Sequence, residues 1–127
     1  MKILIVDDEP LVRKSLSRAC RSRGHEVIEA CDGSEGLSLW GTSAPDLVFL
    51  DVLMPGLSGP ELLREAGPIK GKAKVILMSA YSGEHNIVTA QQLGADLFIP
   101  KPFEDIFSVV TKGEELAKAE DLVGNGR

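Results

Sequence analysis

The residues of this chain that could do chemistry lie directly after short apolar runs: Asp7, Asp8, Asp51, Ser79 and Lys101. Asp7 and Asp8 follow Ile3–Val6, and Asp51 follows Leu47–Leu50. Three carboxylates in one small pocket would repel one another and raise one another's pKa. Mg²⁺ would remove this conflict, because it prefers oxygen ligands and is usually held by one or two carboxylates together with phosphate oxygens.

With Mg²⁺ bound, Asp51 can act as a carboxylate nucleophile towards a phosphoryl group. Such a transfer needs positioning and stabilisation of charge on the transferring oxygens. Lys101 would supply a compact positive charge and Ser79 a hydroxyl hydrogen bond. Simpler interpretations remain open: the first two acids as helix caps, Asp51 as a turn residue, and the serine and lysine as loop residues.

The elements that would position these side chains alternate between strands and helices. Five strands are predicted: Ile3–Val6, Glu26–Ala30, Leu47–Asp51, Val75–Met78 and Asp96–Ile99. Helical patterns follow each strand, with Gly24 ending the first helix and capping boxes at Asp32/Glu35 and Ser58/Glu61. The fourth helix is predicted over roughly Glu84–Leu93, and the fifth begins near Glu104 with Gly113 as a weak point.

This alternation predicts an α/β fold with a doubly wound, five-stranded parallel sheet and helices on both faces. The strand order 2-1-3-4-5 of a flavodoxin-like (βα)5 domain fits best. In that order the first and third strands are neighbours, so their carboxyl ends open into one crevice. The sequence therefore predicts that Asp7, Asp8 and Asp51 share a pocket.

Size and composition set further bounds. The 127 residues suit one domain, predicted over 1–120 with a tail or linker over 121–127. A net charge of −5 without a basic stripe argues against direct contact with nucleic acid.

The spacing of Cys20 and Cys31 matches no zinc or redox motif, and we expect two reduced, mostly buried thiols. Without a signal or membrane segment, a soluble, cytoplasmic protein with no membrane partner is expected.

The chain resembles the receiver domain of two-component response regulators from Ile3 to about Lys118. The resemblance is carried by four motifs in this order: Asp7-Asp8, Asp51-x-x-Met54-Pro55-Gly56-x-x-Gly59, Ser79-Ala80 and Lys101-Pro102-Phe103. It implies a phosphorelay switch in which Asp51 takes a phosphoryl group from the histidine of a sensor histidine kinase. The implied enzyme activity is limited to self-phosphorylation from a phosphodonor and slow autodephosphorylation.

The resemblance also implies roles for individual residues. Asp8 and Asp51 would bind Mg²⁺ directly, Asp7 through water, and Leu53 through its backbone carbonyl. Phe98 would be the switch aromatic, without the hydroxyl of the more common tyrosine. The peptide bond between Lys101 and Pro102 would be cis.

Two further positions would set the rate of autodephosphorylation. Leu53 and Tyr81 lie two residues after Asp51 and Ser79, and in the family these positions flank the path of the hydrolytic water. A leucine and a tyrosine there would exclude water, which implies slow autodephosphorylation. Replacing both, Leu53→Asn with Tyr81→Glu, should speed loss of the phosphoryl group.

Phosphorylation would shift the surface of the fourth helix, fifth strand and fifth helix. That surface would then control an output domain or a downstream protein, and a homodimer on phosphorylation is a further possible partner.

Two other functions compete with this one. A Mg²⁺-dependent phosphohydrolase that forms an aspartyl phosphate would need a second acidic residue near the nucleophile, where Leu53 stands. An interaction module that is never phosphorylated should have lost an acid or the lysine, and all are present. A P-loop or dinucleotide site is excluded, because Asp7-Asp8-Glu9 stands where a glycine-rich phosphate loop would be needed.

Overall fold

Five parallel strands form one sheet at the centre of the protein. The computed structural model describes residues 1–80, 92 and 94–125, with side chains through residue 118. The strands are β1 (Lys2–Val6), β2 (Glu26–Ala30), β3 (Leu47–Asp51), β4 (Lys74–Ser79) and β5 (Leu97–Pro100). Their order in the sheet is β2-β1-β3-β4-β5, with every pair parallel, which confirms the predicted fold.

The described helices are α1 (Pro10–Ser22), α2 (Gly33–Ser43), α3 (Gly59–Glu65) and the C-terminal helix (Ile106–Asn125), with a 3₁₀ turn over Gly67–Ile69. The C-terminal helix passes the domain boundary predicted at residue 120, and the boundary itself stays a prediction. The predicted fourth helix lies, apart from residue 92, outside the described residues.

Local sequence signals begin and end these helices. Ser58 and Glu61 form the predicted capping box, because each side chain accepts a hydrogen bond from the backbone N–H of the other residue. The Asp32 carboxylate accepts the N–H of Glu35 at 2.8 Å. Gly24 has a φ of +87° just after α1, a conformation that glycine adopts without steric penalty.

The core lies on both faces of the sheet. All five residues of β3 are buried, as expected for a central parallel strand. Successive side chains alternate between the faces, so Leu50 packs with Trp40 of α2 while Phe49 packs with Leu16 of α1. Burial from two sides holds the carboxyl end of β3 in place.

Two glycines permit close approach of helices to the sheet. A Cβ on Gly59, the first residue of α3, would collide with the backbone carbonyl oxygen of Asp51. A Cβ on Gly113 would lie 2.6 Å from Cδ2 of Leu47 and 3.1 Å from Cζ of Phe49. Gly113, predicted as a weak point of its helix, is therefore a site of close packing.

The two cysteines differ. Cys20 is buried, and burial raises the pKa of its thiol to about 12. Cys31 is exposed, so the prediction that both thiols are mostly buried is wrong for Cys31. Cys31 directly follows the edge strand β2, where there is no neighbouring strand to cover it. Among the described residues, no helix has both the length and the apolar character needed to cross a membrane.

Candidate functional site

Neighbouring strands bring the three predicted aspartates together. β1 and β3 are paired with Val6 opposite Leu50, so Asp7 and Asp51 emerge side by side at the carboxyl edge of the sheet. Asp7 is fully buried, Asp51 is 3% exposed, and Asp8 is half-buried. One carboxylate oxygen from each of the three lies within 4.8 Å of the other two.

Backbone contacts fix the position of Asp7. Its N–H donates to the carbonyl of Ala30 at 3.1 Å, and its Oδ1 accepts the N–H of Glu9 at 2.9 Å. Nη1 of Arg13 donates to its carbonyl oxygen at 2.8 Å. Oδ1 of Asp7 thus accepts the first N–H of the turn into α1, as the helix-cap interpretation expects for one of the two acids. Oδ2 is left for other partners.

The loop after Asp51 is held on two sides. The N–H of Val52 donates to the carbonyl of Met78 at 2.9 Å, and the N–H of Gly59 donates to the carbonyl of Val52 at 3.0 Å. These bonds return the chain to the sheet at the start of α3. Leu53, in this loop, is 57% exposed. Tyr81, the second position predicted to set the rate of autodephosphorylation, lies outside the described residues.

Strands β4 and β5 bring Ser79 and Lys101 to the same edge. Ser79 is the last residue of β4 and is fully buried, and its carbonyl accepts the N–H of Lys101 at 2.8 Å. The Lys101–Pro102 peptide bond is cis, as the family resemblance implied. The Lys101 side chain is only 6% exposed.

The ammonium of Lys101 lies among three carboxylates. Nζ is 2.8 Å from Oδ2 of Asp7, 2.9 Å from Oε1 of Glu9 and 3.5 Å from Oδ1 of Asp51. Burial of Lys101 lowers the pKa of its ammonium, but hydrogen bonding to Asp7 and Glu9 and the charge of Asp51 outweigh burial and raise it. Lys101 is therefore a permanent positive charge in the site.

Asp51 has the opposite electrostatic position. Burial raises the pKa of its carboxyl group, the charge of Asp7 raises it further, and Asp8 adds to both. Lys101 opposes these effects only in part, so the pKa of Asp51 is raised to about 7. The positive charge near Asp51 is therefore too small to stabilise its carboxylate form fully against burial and the neighbouring acids.

The donor set fits a Mg²⁺ ion. Three carboxylates with oxygens this close are the hard oxygen ligands that Mg²⁺ prefers. Oδ2 of Asp7 is buried and, among the described residues, its close donor contact is Nζ of Lys101 at 2.8 Å, which leaves one lone pair of this oxygen without a donor. A buried oxygen in that state has capacity left for a cation or for a water bound to one.

The switch residue predicted on β5 lies apart from this pocket. Phe98 is half-buried and packs against the core cluster that contains Val48 and Leu77. Two residues that contact the site were not singled out from the sequence: Glu9 and Arg13. The run of three acids that ends at Glu9 was the one available signal, since no pattern marks an arginine that binds a carbonyl.

Comparisons with known proteins agree with this geometry. Residues 3–110 match the family model described as "Response regulator receiver domain". The chain is 41% identical over 102 residues to "Transcriptional activator protein PfeR" of Pseudomonas aeruginosa, which covers 80% of the chain and 33% of that protein. It is 38% identical over 103 residues to "Response regulator MprA" of Mycolicibacterium vanbaalenii, covering 81% of the chain and 45% of that protein.

A solved structure shares the whole fold. The receiver domain protein described as CheY-like from Methanospirillum hungatei superimposes with a TM-score of 0.87 at 29% identity. The match covers 94% of this chain and 95% of that one. By contrast, the chain spans less than half the length of PfeR and of MprA.

Proposed function

This chain belongs to the response regulator receiver domain family of two-component systems, and from that premise we propose that Asp51 is the phosphoryl acceptor of a signalling switch. The phosphoryl donor would be the histidine of a sensor kinase. The observation that carries this proposal is the meeting of Asp7, Asp8 and Asp51 within 4.8 Å, with Nζ of Lys101 3.5 Å from Asp51.

Asp7, Asp8 and Asp51 would hold Mg²⁺, with the Leu53 backbone carbonyl as a further ligand. Asp8 and Asp51 would be direct ligands and Asp7 a ligand through water. When bound, Mg²⁺ would neutralise charge on the acids and on the transferring oxygens. The raised pKa of Asp51 supports this assignment, because an added dication would restore the carboxylate form that a nucleophile needs.

The transfer step follows from the positions of the side chains. An oxygen of Asp51 forms a bond to phosphorus while the bond from phosphorus to the donor nitrogen breaks and its electron pair stays on the nitrogen. Lys101 supplies positive charge to the phosphoryl oxygens without giving up its proton. The backbone contacts of Asp7 and the loop after Asp51 keep the acids in place during transfer.

Phosphorylation would then act on a surface. A phosphoryl group adds roughly −1.5 to −2 charge and three acceptor oxygens at Asp51. Ser79 would turn its hydroxyl towards these oxygens, and Phe98, two residues before the partner of Ser79 on β5, would follow. This would shift the surface of the fourth helix, β5 and the C-terminal helix. The shifted surface would control an output domain or a downstream partner, or would form a homodimer.

The output itself belongs to the whole protein. PfeR is described as a transcriptional activator, and the chain covers one third of it. We extend to this chain only the general role of a receiver that controls an output, without direct contact between this domain and nucleic acid. Leu53, exposed at the loop, fits the proposed role of limiting autodephosphorylation, together with Tyr81.

The two competing functions have less support. The phosphohydrolase needs an acidic residue two positions after the nucleophile, and Leu53 is there. The interaction module that is never phosphorylated gives no reason for three clustered carboxylates with a lysine buried among them.

Intact mass tests the proposal. Wild type and Asp51→Asn are incubated with acetyl phosphate, each with and without Mg²⁺. We expect wild type to gain one phosphoryl group only with Mg²⁺, and Asp51→Asn to gain none. No gain in wild type would favour the interaction module, and many turnovers on small phosphate esters would favour the phosphohydrolase.

A further inference from the structure

Glu9 is the outermost of the three carboxylates around Lys101. Its Oε1 lies 2.9 Å from Nζ of Lys101, closer than the 3.5 Å to Oδ1 of Asp51. The Glu9 side chain is 59% exposed, whereas the side chains of Asp7 and Asp51 are 0% and 4% exposed. Lys101 is therefore held between a buried acid and an acid at the mouth of the site.

The Glu9 carboxylate has no role in starting α1. Glu9 is the N-cap residue, yet its side chain makes no capping hydrogen bond. Its own N–H is bound by Oδ1 of Asp7 instead. Within the described part of the chain, Lys101 is the one hydrogen-bond and ion-pair partner of the Glu9 carboxylate.

This contact keeps the ammonium away from the acceptor. A charged N–H···O hydrogen bond is usually 2.7–2.9 Å long, and the distance from Lys101 to Asp51 exceeds that range. The distance to Glu9 falls within it. Lys101 therefore directs its donors towards Glu9 and Asp7 in the unphosphorylated protein, and Asp51 receives only its charge.

Building on the acceptor role proposed for Asp51, the geometry points to Glu9 as a positioning residue that holds Lys101 back from Asp51 until a phosphoryl group competes for the ammonium. As Asp51 bonds to phosphorus and the donor's leaving group departs with its electron pair, the Lys101 donors turn from Glu9 to the phosphoryl oxygens. Glu9 is the partner that can be given up, because an exposed ion pair is weak and its carboxylate is rehydrated at once. Asp7 is buried and cannot be released in this way.

Rates of phosphorylation test this role. Wild type, Glu9→Gln and the control Glu104→Gln are compared over a range of acetyl phosphate concentrations with Mg²⁺. Glu104 is also exposed, near Lys101 in sequence, and forms no ion pair within the described residues, so its replacement changes the net charge equally. Glu9→Gln should raise the saturating rate by up to about fivefold, as release from one exposed ion pair allows, and leave the half-saturating concentration unchanged.

A second measurement follows Lys101 directly. The ¹³Cε resonance of Lys101, assigned by its loss in Lys101→Arg, should move in Glu9→Gln and stay in place in Glu104→Gln. An unmoved resonance, or a saturating rate equal to that of wild type, would overturn the role of Glu9. A similar rise in both variants with a lower half-saturating concentration would also overturn it, because general repulsion of the donor would then explain the effect. No phosphorylation of wild type would instead overturn the proposed function, and this inference with it.

Discussion

Two charged clusters lie at opposite ends of the sheet, and they are built on different principles. The carboxyl-edge cluster consists of Asp7, Asp8, Glu9, Asp51 and Lys101. The amino-edge cluster consists of Arg23, His25 and Glu114. The first contains four acids and one lysine, whereas the second places one acid between two basic side chains.

The pKa values of the central acids differ accordingly. Burial and the charge of Asp7 raise the pKa of Asp51 to about 7, in spite of Lys101. At the other end, burial raises the pKa of Glu114, but hydrogen bonds from Arg23 and His25 outweigh burial and lower it. Glu114 is thus stabilised as a carboxylate by its neighbours, and Asp51 is not.

The amino-edge cluster serves the fold. Oε1 of Glu114 is 2.6 Å from Nη2 of Arg23, and Oε2 is 2.6 Å from Nε2 of His25. These contacts join the C-terminal helix to the segment between α1 and β2. The His25 side chain is only 13% exposed, so it is part of this contact rather than a free surface group. The comparison indicates that excess negative charge accompanies the site proposed to bind an ion and a phosphoryl group, whereas balanced charge accompanies a structural contact.

Addition of Mg²⁺ should produce the largest difference between the clusters. At a concentration 100 times its dissociation constant, Mg²⁺ should raise the free energy of unfolding of wild type by about 2.7 kcal/mol, because it binds the folded protein. Urea unfolding with Mg²⁺ or EDTA measures this gain. Glu114→Gln should keep the full gain and Asp51→Asn should lose most of it. Equal gains in all three proteins would place the ion elsewhere.

Asp51→Asn should stabilise the metal-free protein at pH 8. The folded-state pKa of Asp51, about 7, lies above its ordinary value of 3.8. The protonated form of Asp51 is therefore the one that the folded state favours. Its contribution to stability is complete below pH 3.8 and is lost as the carboxyl group ionises while the pH rises through 7. The variant should be more stable than wild type by about 2 kcal/mol at pH 8, since the buried repulsion is removed, and by much less at pH 5. Lower stability of the variant at both pH values in EDTA would contradict this assignment.

Glu114→Gln should have a smaller effect of the opposite sign. The pKa of Glu114 is lowered in the folded state, so its contribution is present above the ordinary value of 4.5 and lost as the pH falls through the folded-state pKa. Solvent around Arg23 screens the contact, and we expect a loss of about 1 kcal/mol at pH 7. Thermal unfolding at pH 7 and pH 3 measures it. A loss that persists undiminished at pH 3 would show that packing, rather than charge, explains the effect.

Much of the fold was predictable because local signals and global packing agree. The run Leu47–Asp51 reads as a fully buried strand, and all five residues are buried. The capping box at Ser58 begins α3 where the sequence places it. Strand ends differ from the predictions by one residue or so, as at β5 (Leu97–Pro100), because pairing with β4 rather than local preference sets where a strand ends.

The meeting of the aspartates in the candidate site was predictable, but the other contacts of the site were not. Parallel strands all end at one edge, so an acid at the end of β1 and another at the end of β3 must meet once the strand order is given. The role of Glu9 was not predictable, because helix capping and ion pairing to a lysine more than 90 residues away are equally compatible with its position. The same is true of Arg13, whose partner is a backbone oxygen.

Taken alone, the sequence determined the type and order of the elements and the identity of the acids, because hydrophobic period, caps and strand-end residues are local properties. The tertiary structure decided which charges remain uncompensated. Only packing brings Lys101 within 2.8 Å of Asp7 but leaves it 3.5 Å from Asp51, and only packing turns Gly113 from a weak point of a helix into the place where that helix meets β3. Distances between residues far apart in the chain, and the burial that strengthens or weakens their charges, arise only when the sheet and helices have assembled.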